Sequence, residues 1–450
     1  MAERKDFHVA VCGGGIGGLC LTIGLLRQNI SCKLYEAAPA FAEIGAGVSF
    51  GPNAIQAMEL IDPQIARGLE NCSTINGWPE KRDTWFEFRT GQAKGTRGGV
   101  PAATNTYVAD VKTRGVQYVG QNSVHRAHFL DELVKLIPDE VPEFGKRLVN
   151  IGEKGDKMIL AFEDGTSSEA DAVIGCDGIK SRMREILLGT DHEAAHAVFS
   201  GKYAYRGLIP MEIAVNALGD ELARNSQIYM GHHGHVLTFP IEKGKTMNVV
   251  AFRTKLDGMW PEKNWVLPSK KEDMTKDFMG WDDRVMSIIY VSRILIPPHE
   301  MALWLMNAQL MEKCDVWALF EHLPSPTYYK GRLCLLGDAA HASTPHQGAG
   351  AGQAIEDAFI LSNLLGQVAS VDDITQSFKA YDSVRRSRSQ RVVTTSKEAG
   401  CLYEMENEEV GSDLDKARDN LLARYDWIWR NDLKAQLREA QNVMLNGSRI

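Results

Sequence analysis

Short apolar runs alternate with glycine-rich turns and amphipathic stretches along this chain. Phe7 to Cys12 predicts a strand, followed by glycines, a helix through about Asn29, and a second strand, Ser31 to Tyr35, ending in Glu36. Ile44 to Ser49 with Gly51-Pro52-Asn53 predicts a loop before a helix beginning at Ala54. A helix opens at Val124 to Leu130, with Leu130, Leu133, Val134 and Ile137 on one face. Leu148 to Ile174 predicts a hairpin with an Asp164-Gly165 turn, and Ser181 to Leu188 a helix. Residues 198–310 change to recurrent strands (Ala204 to Ile209, Gln227 to Met230, Val236 to Pro240, Met247 to Arg253), which predict an inserted antiparallel sheet. A buried strand returns at Arg332 to Asp338, then a helix from about Gln353 to Leu365. Beyond Phe378 the pattern is helical to the end, where Trp427, Trp429, Leu433 and Leu437 form an apolar stripe read as core packing or a dimer contact.

Three motifs give this pattern a chemistry. Gly13, Gly15 and Gly18 carry the G-x-G-x-x-G spacing between strand and helix: a tight turn, close backbone approach to a pyrophosphate, and close helix–strand packing. The helix N-terminus adds amide donors. Glu36 stands where a carboxylate accepts from ribose hydroxyls and repels a 2′-phosphate, which favours FAD or NAD over NADP at this site. Gly175-Cys176-Asp177-Gly178 and Gly337-Asp338-Ala339-Ala340-His341 follow in order. Together they predict one long flavin dinucleotide gripped by distant segments. The fold class is α/β: a Rossmann-like FAD-binding domain (residues 1–180, returning at 326–390), an inserted antiparallel-sheet substrate domain (181–325) and a helical C-terminal region (391–450).

Composition narrows the setting. The 450 residues suffice for two or three domains, the apolar and charged fractions (44% and 24%) are ordinary, and the net charge of −8 gives no nucleic-acid surface. Eight cysteines without CxxC spacing predict reduced thiols; Cys12, Cys176 and Cys334 read as small buried residues. The charged N-terminus is no signal peptide, and no apolar run reaches the length of a membrane span, so a soluble cytoplasmic protein is expected. The basic run Arg385 to Arg391 reads as a solvated helix face, with a nucleotide phosphate or a membrane surface as alternatives. His232, His233 and His235 are not read as a metal site, because strand alternation separates His232 and no paired acid follows.

On these motifs, residues 7–390 resemble the single-component FAD-dependent aromatic hydroxylases (group A flavoprotein monooxygenases, salicylate- and para-hydroxybenzoate-hydroxylase-like). The resemblance implies tightly bound FAD held by Gly13, Gly15, Gly18 and Glu36 at its ADP half. Arg126 would contact its phosphate-bearing linker, a surface ion pair being the local alternative. Asp177 would serve both FAD and the reducing nicotinamide, and Asp338 the ribityl chain. Gly47 and Ala351 would lie against the cofactor, with Pro345 beside the isoalloxazine. Independently, a helix N-terminus at Gly350-Ala351-Gly352 would stabilise an anionic reduced flavin. The partners implied are a small phenol, O2 and transient NADPH or NADH, with a homodimer as a further expectation.

The same resemblance implies a flavin C4a-hydroperoxide attacking an electron-rich ring. Arg206, a cation in an apolar strand, would hold the substrate as phenolate; a salt bridge to the flavin domain is the alternative. The subgroup resembled is the fungal polyketide-phenol hydroxylases that dearomatise resorcinol-type aldehydes, as in the asperfuranone (azaphilone-type) pathway. It implies Tyr118 as the substrate anchor, since Phe239 at the other anchoring position donates no hydrogen bond. His341 is placed at the pocket edge as a proton relay, or in the fold as a hydrogen-bonded structural histidine. A salicylate-type decarboxylating hydroxylase and a catalytically idle flavoprotein scaffold are the competing readings.

Overall fold

The structure is a computed structural model that describes residues 5–41, 47–117, 120–291 and 314–447. Tyr118 lies outside the described residues.

A six-stranded sheet carries the nucleotide-binding half. Its order is Tyr329–Lys330, Leu333–Leu335, Ala172–Gly175, His8–Cys12, Ser31–Tyr35 and Pro142–Glu143. All neighbours are parallel except the first pair. Val9, Val11, Leu34, Val173, Ile174 and Leu335 are buried on both faces, which is why these strands read as continuous apolar runs. The helices Ile16–Arg27 and Gly350–Leu365 pack on each other beside this sheet and are almost wholly buried. Residues 148–170 form a three-stranded antiparallel meander (Leu148–Lys154, Lys157–Phe162, Ser167–Ala170), with the Asp164-Gly165 turn between its last two strands.

The second sheet has eight strands, in the order Val266–Ser269, Cys314–His322, Ala197–Pro210, Thr246–Thr254, Gly234–Ile241, Gln227–Gly231, Thr84–Thr90 and Tyr107–Lys112. Two corrections follow. Its last two strands come from residues 84–112, inside the stretch assigned by sequence to the first nucleotide-binding segment. The junction of Gln227–Gly231 with Thr84–Thr90 is parallel, so the sheet is mixed. Local periodicity could not show this, because strand pairing is settled by which apolar faces meet in space. Similarly, the predicted glycine loop contains a strand, Gly47–Phe50, paired antiparallel with Asn122–His125; the helix Arg126–Val134 starts only after that strand.

The C-terminal region comprises Ile374–Tyr403, Leu414–Ala423, Asp426–Trp429 and Leu433–Gly447, interrupted at 404–413. Its apolar stripe packs within the chain. Trp429 stacks on Tyr425 (4.8 Å) and meets Trp85 edge-on (5.6 Å), while Leu433 enters the nucleotide-domain core. The basic run is only partly a solvated face: Ser387 and Arg391 are exposed, but Arg385 is fully buried, donating to Asp357 (2.7 Å), Glu356 (2.6 Å) and Gln353 (2.8 Å). Arg388 also pairs with Glu356 (2.7 Å), and Arg391 lies 4.1 Å from the Trp427 ring centroid. The partners Glu356 and Asp357 sit 29 and 28 residues upstream of Arg385, beyond any local window. No described helix is long and apolar enough to cross a membrane.

Candidate active site

The glycine turn is built as its spacing demands. Gly13 has φ +112°, and a Cβ there would meet the Cys176 carbonyl oxygen at 2.2 Å; a Cβ on Gly18 would meet the Gly13 oxygen at 1.9 Å. Glu36, at the end of Ser31–Tyr35, accepts from the Gly14 amide (2.7 Å) and the Ala38 amide (2.7 Å), fixing its carboxylate at the head of the turn. On the other side of the turn, Gly15 faces a cavity of about 380 Å³ that runs between the two sheets.

Most of the predicted site converges on this cavity. Gly15, Gly47, Arg126 and Asp338 line it, as do Pro345, Gly350 and Ala351 on the loop that opens the helix Gly350–Leu365. Arg206 and Phe239 line it from the eight-stranded sheet. The lining fits a flavin dinucleotide. A glycine turn opens one end, a cation and a carboxylate stand along the length, and a 16-residue helix with no acid in its first turn directs its N-terminal amides inward. A buried polar atom also stands at the wall: the Asn248 amide nitrogen has no hydrogen-bond partner, while Asn248 Oδ1 accepts from the Gly47 amide (3.2 Å).

Five described residues of the predicted site are not on the cavity wall: Gly13, Gly18 and Glu36 stay within the glycine turn, and Asp177 and His341 are turned to other partners. The Asp177 carboxylate accepts from Ser181 Oγ (2.5 Å) and the Met183 amide (3.0 Å), so it caps the helix Arg182–Leu188; its neighbours Cys176 and Gly178 line the wall instead. Burial pushes its carboxyl above the usual range, those hydrogen bonds opposing the rise. His341 is not on the cavity wall. It is 2% exposed and bonds through Nε2 to Asp357 Oδ2 (2.6 Å), behind the flavin motif. Its structural reading fits this placement, and its pocket-edge reading does not. Asp357 Oδ2 also accepts from the Gly337 amide (3.1 Å), so one buried carboxylate ties His341, the Gly337-Asp338 turn and Arg385 together.

The sheet face toward the cavity is set by register. Arg206 pairs with Val250, which pairs with Leu237; one step along, Leu208, Asn248 and Phe239 form the next row, and Ala204, Phe252 and His235 the row before. Arg206 lies with its guanidinium carbon 4.7 Å from the Trp317 ring centroid. It is open to the cavity yet surrounded by protein, and desolvation, with the nearby charge of Arg126, lowers its pKa to about 10. No carboxylate among the described residues pairs with it, so the alternative of a salt bridge to the flavin domain is not realised there. Such a site stabilises an incoming anion.

Sequence reading passed over several wall residues, notably Trp85 and His346. His346 follows Pro345 directly and is 3% exposed; it packs at 5.2 Å from His235 and 5.0 Å from Phe252, centroid to centroid. The motif PHQ next to the flavin loop was the available signal. The histidine run also has acids after all: His235 Nδ1 meets Glu404 Oε1 (3.0 Å) and His233 Nδ1 meets Glu406 Oε1 (2.7 Å). These acids come from about 170 residues away in the chain. Among the described residues no cluster of three or more His, Cys, Asp and Glu has metal-holding geometry. Cys12 and Cys334 are buried, Cys176 half-buried at the wall, and burial pushes all three thiols up.

Comparison with known proteins agrees with this geometry. Residues 309–396 match the FAD binding domain family. The chain is 43% identical to 6-methylsalicylate 1-monooxygenase atA of Aspergillus terreus, over 98% of this chain and 93% of that protein. It is 38% identical to a salicylate hydroxylase of Pseudomonas putida, over 98% of this chain and 95% of that protein. A salicylate hydroxylase solved as a substrate complex superposes with a TM-score of 0.81 at 36% identity, covering 96% of this chain and 98% of that one.

Proposed function

The chain belongs to the FAD-dependent aromatic monooxygenases of the salicylate hydroxylase-like group, and we propose that its substrate is a small phenol held as an anion against Arg206. Bound FAD supplies the activated oxygen, after reduction by NAD(P)H, that attacks an electron-rich ring. The protein's part is orientation and charge. Arg206 is the observation that carries the reading: a cation at the cavity wall with no acid partner among the described residues leaves its donors for a phenolate or carboxylate. Phe239 and Leu237 close the adjacent apolar wall, and Asp338 with the Gly350 helix terminus would face the cofactor.

Two substrate classes meet this description. In a salicylate-type acid, attack at the carboxylate-bearing carbon expels carbon dioxide and the ring stays aromatic. The similarity to a 6-methylsalicylate 1-monooxygenase of Aspergillus terreus and a salicylate hydroxylase of Pseudomonas putida favours this class. In a resorcinol-type aldehyde, attack at a methyl-bearing carbon permits no proton loss and leaves a dienone. The sequence by itself put this second class first, through Arg206, Phe239 and the expected anchor Tyr118.

One experiment separates them. The FAD-loaded enzyme is given NADPH and O2 with 6-methylsalicylate or 2,4-dihydroxy-3-methylbenzaldehyde, whose methyl-bearing carbon lies ortho to both hydroxyls, and carbon dioxide and product mass are measured. Carbon dioxide equal to the NADPH consumed supports the decarboxylating class, and a dienone the dearomatising class. If no phenol in a wider panel accelerates NADPH oxidation, the hydroxylase reading fails and an idle flavoprotein is left.

A further inference from the structure

Behind the cavity wall a line of titratable groups runs to the surface, hydrogen-bonded from His235 outward and separated from the cavity by one gap between His346 and His235. It begins at His346, which lines the cavity; neither of its ring nitrogens has a hydrogen-bond partner. Next is His235, fully buried, whose Nε2 also lacks a partner and whose ring centroid is 5.2 Å from that of His346. A ring rotation or one bridging water spans that separation. His235 Nδ1 meets Glu404 Oε1 (3.0 Å), Glu404 Oε2 accepts from Lys202 Nζ (2.5 Å), and Lys202 Nζ donates to Glu406 Oε2 (2.8 Å). Glu406 Oε1 meets His233 Nδ1 (2.7 Å), and the His233 side chain is 33% exposed.

This is a costly arrangement to keep for packing alone. Glu404 is fully buried and Lys202 4% exposed, and the lysine pairs with both acids. The groups come from four separate places in the chain: the strand Ala197–Pro210, the hairpin around His233 and His235, the turn Pro345–Gln347, and the segment after the helix Ile374–Tyr403.

We propose that His346, His235, Glu404, Lys202, Glu406 and His233 form a proton relay that carries the phenolic proton of the substrate from the cavity to solvent. The inference rests on the phenol reading given above. The step balances as a relay. The O–H bond of the phenol breaks and its proton goes to a His346 nitrogen. His346 passes a proton to His235 Nε2, whose Nδ1 proton moves to Glu404. Lys202, an ammonium between the two acids, gives a proton to Glu406 and takes the one on Glu404 in its place; Glu406 passes its proton to His233 Nδ1, whose Nε2 proton goes to bulk water. The phenolate left behind is paired with Arg206. Only His346 touches the cavity; the others act through it and leave the binding surface unchanged.

Among the described residues, the titratable groups facing the two inner histidines belong to this line or are committed elsewhere. Glu404, Lys202 and Glu406 face His235, and Thr254 Oγ1 donates to Glu404 (2.5 Å). The Tyr403 ring packs against His235, its hydroxyl bonded to Tyr425 (2.6 Å). Burial lowers the pKa of both histidines, so each is neutral at rest and free to accept a proton.

The test uses the oxidised FAD holoenzyme mixed with 2,4-dihydroxybenzaldehyde, its ionisation followed by the red-shifted phenolate band and its released proton by a pH indicator. His235→Gln and Glu404→Gln are expected to slow phenolate formation about 100-fold while the dissociation constant stays within about twofold. Imidazole buffer is expected to restore part of the rate. Unchanged ionisation rates in both variants overturn the relay, as does phenol binding by the wild type without proton release. If Glu404→Gln fails to retain FAD, Glu406→Gln, away from the cavity, replaces it under the same criterion. A wild type that binds no phenol overturns the substrate reading and the relay with it.

Discussion

The Arg206 guanidinium lies 4.7 Å from the centre of the Trp317 ring, on the neighbouring strand of the same sheet. The indole holds the cation flat at the cavity wall without neutralising it, as an acid would. Arg206→Ala is therefore expected to retain FAD, seen in the bound-flavin spectrum, while kcat/KM for the phenol falls at least about 100-fold, the loss of a charge-assisted pair. Arg206→Lys keeps the charge but not the planar fork, and is expected to recover only part of that loss. Loss of FAD from Arg206→Ala would make the residue structural.

Asp357 is the buried junction behind the flavin motif, joined to His341 (2.6 Å), Arg385 (2.7 Å) and the Gly337 amide (3.1 Å). Asp357→Asn leaves Arg385 short of charge and weakens the turn that carries Asp338. A destabilisation of about 3–5 kcal/mol is expected, as for other broken buried pairs, together with weaker FAD retention. Thermal unfolding with and without added FAD measures both.

Gly18→Ala places a methyl group 1.9 Å from the Gly13 oxygen, a backbone atom that cannot move aside. The variant is expected to purify without FAD. Gly145→Ala is the control for left-handed glycine strain: it has φ +68° with nothing within 4 Å of the added Cβ, and is expected to keep the flavin at slightly reduced stability. The flavin-to-protein absorbance ratio distinguishes them.

Acid stability should follow Glu356 and Asp357. Burial raises both carboxyls, but Arg388 and Arg385 outweigh it at Glu356, and His341 and Arg385 at Asp357, leaving each at about 2. The unfolded chain, with ordinary values near 4, binds more protons than the fold across that interval. Their contribution is thus complete above about pH 5 and lost as the pH falls toward 2. Glu356→Gln is expected to be less stable than the wild type at neutral pH and to show a shallower loss between pH 5 and 3, measured by urea unfolding.

Much of the nucleotide-binding half was legible in the sequence. The strand before Gly13, the glycine spacing, the acid at Glu36 and the helix opening at Gly350 are local features, because backbone sterics and strand or helix period act over a few residues. Arg206 stood out for a similar reason, as a lone cation in an apolar strand. The glycine loop before Asn53 was misread, since a four-residue strand rich in glycine carries too little period to be seen. Asp177 and His341 illustrate a different limit: residue type and motif place them beside the cofactor, but side-chain direction turned one into a helix cap and the other into a buried hydrogen-bond partner of Asp357.

The sequence by itself determined the cofactor-binding fold and the kind of chemistry, because turns and helix termini are specified by neighbouring residues. Only the tertiary structure decided what faces the cavity. Strands 84–90 and 107–112 join a sheet begun far downstream, and Glu404 and Glu406 meet histidines about 170 residues away. It also decided that Arg385 is buried beneath the flavin loop. Those outcomes depend on which apolar faces and charges meet when distant segments pack, and burial makes each such pairing strong only once the whole chain has closed around it.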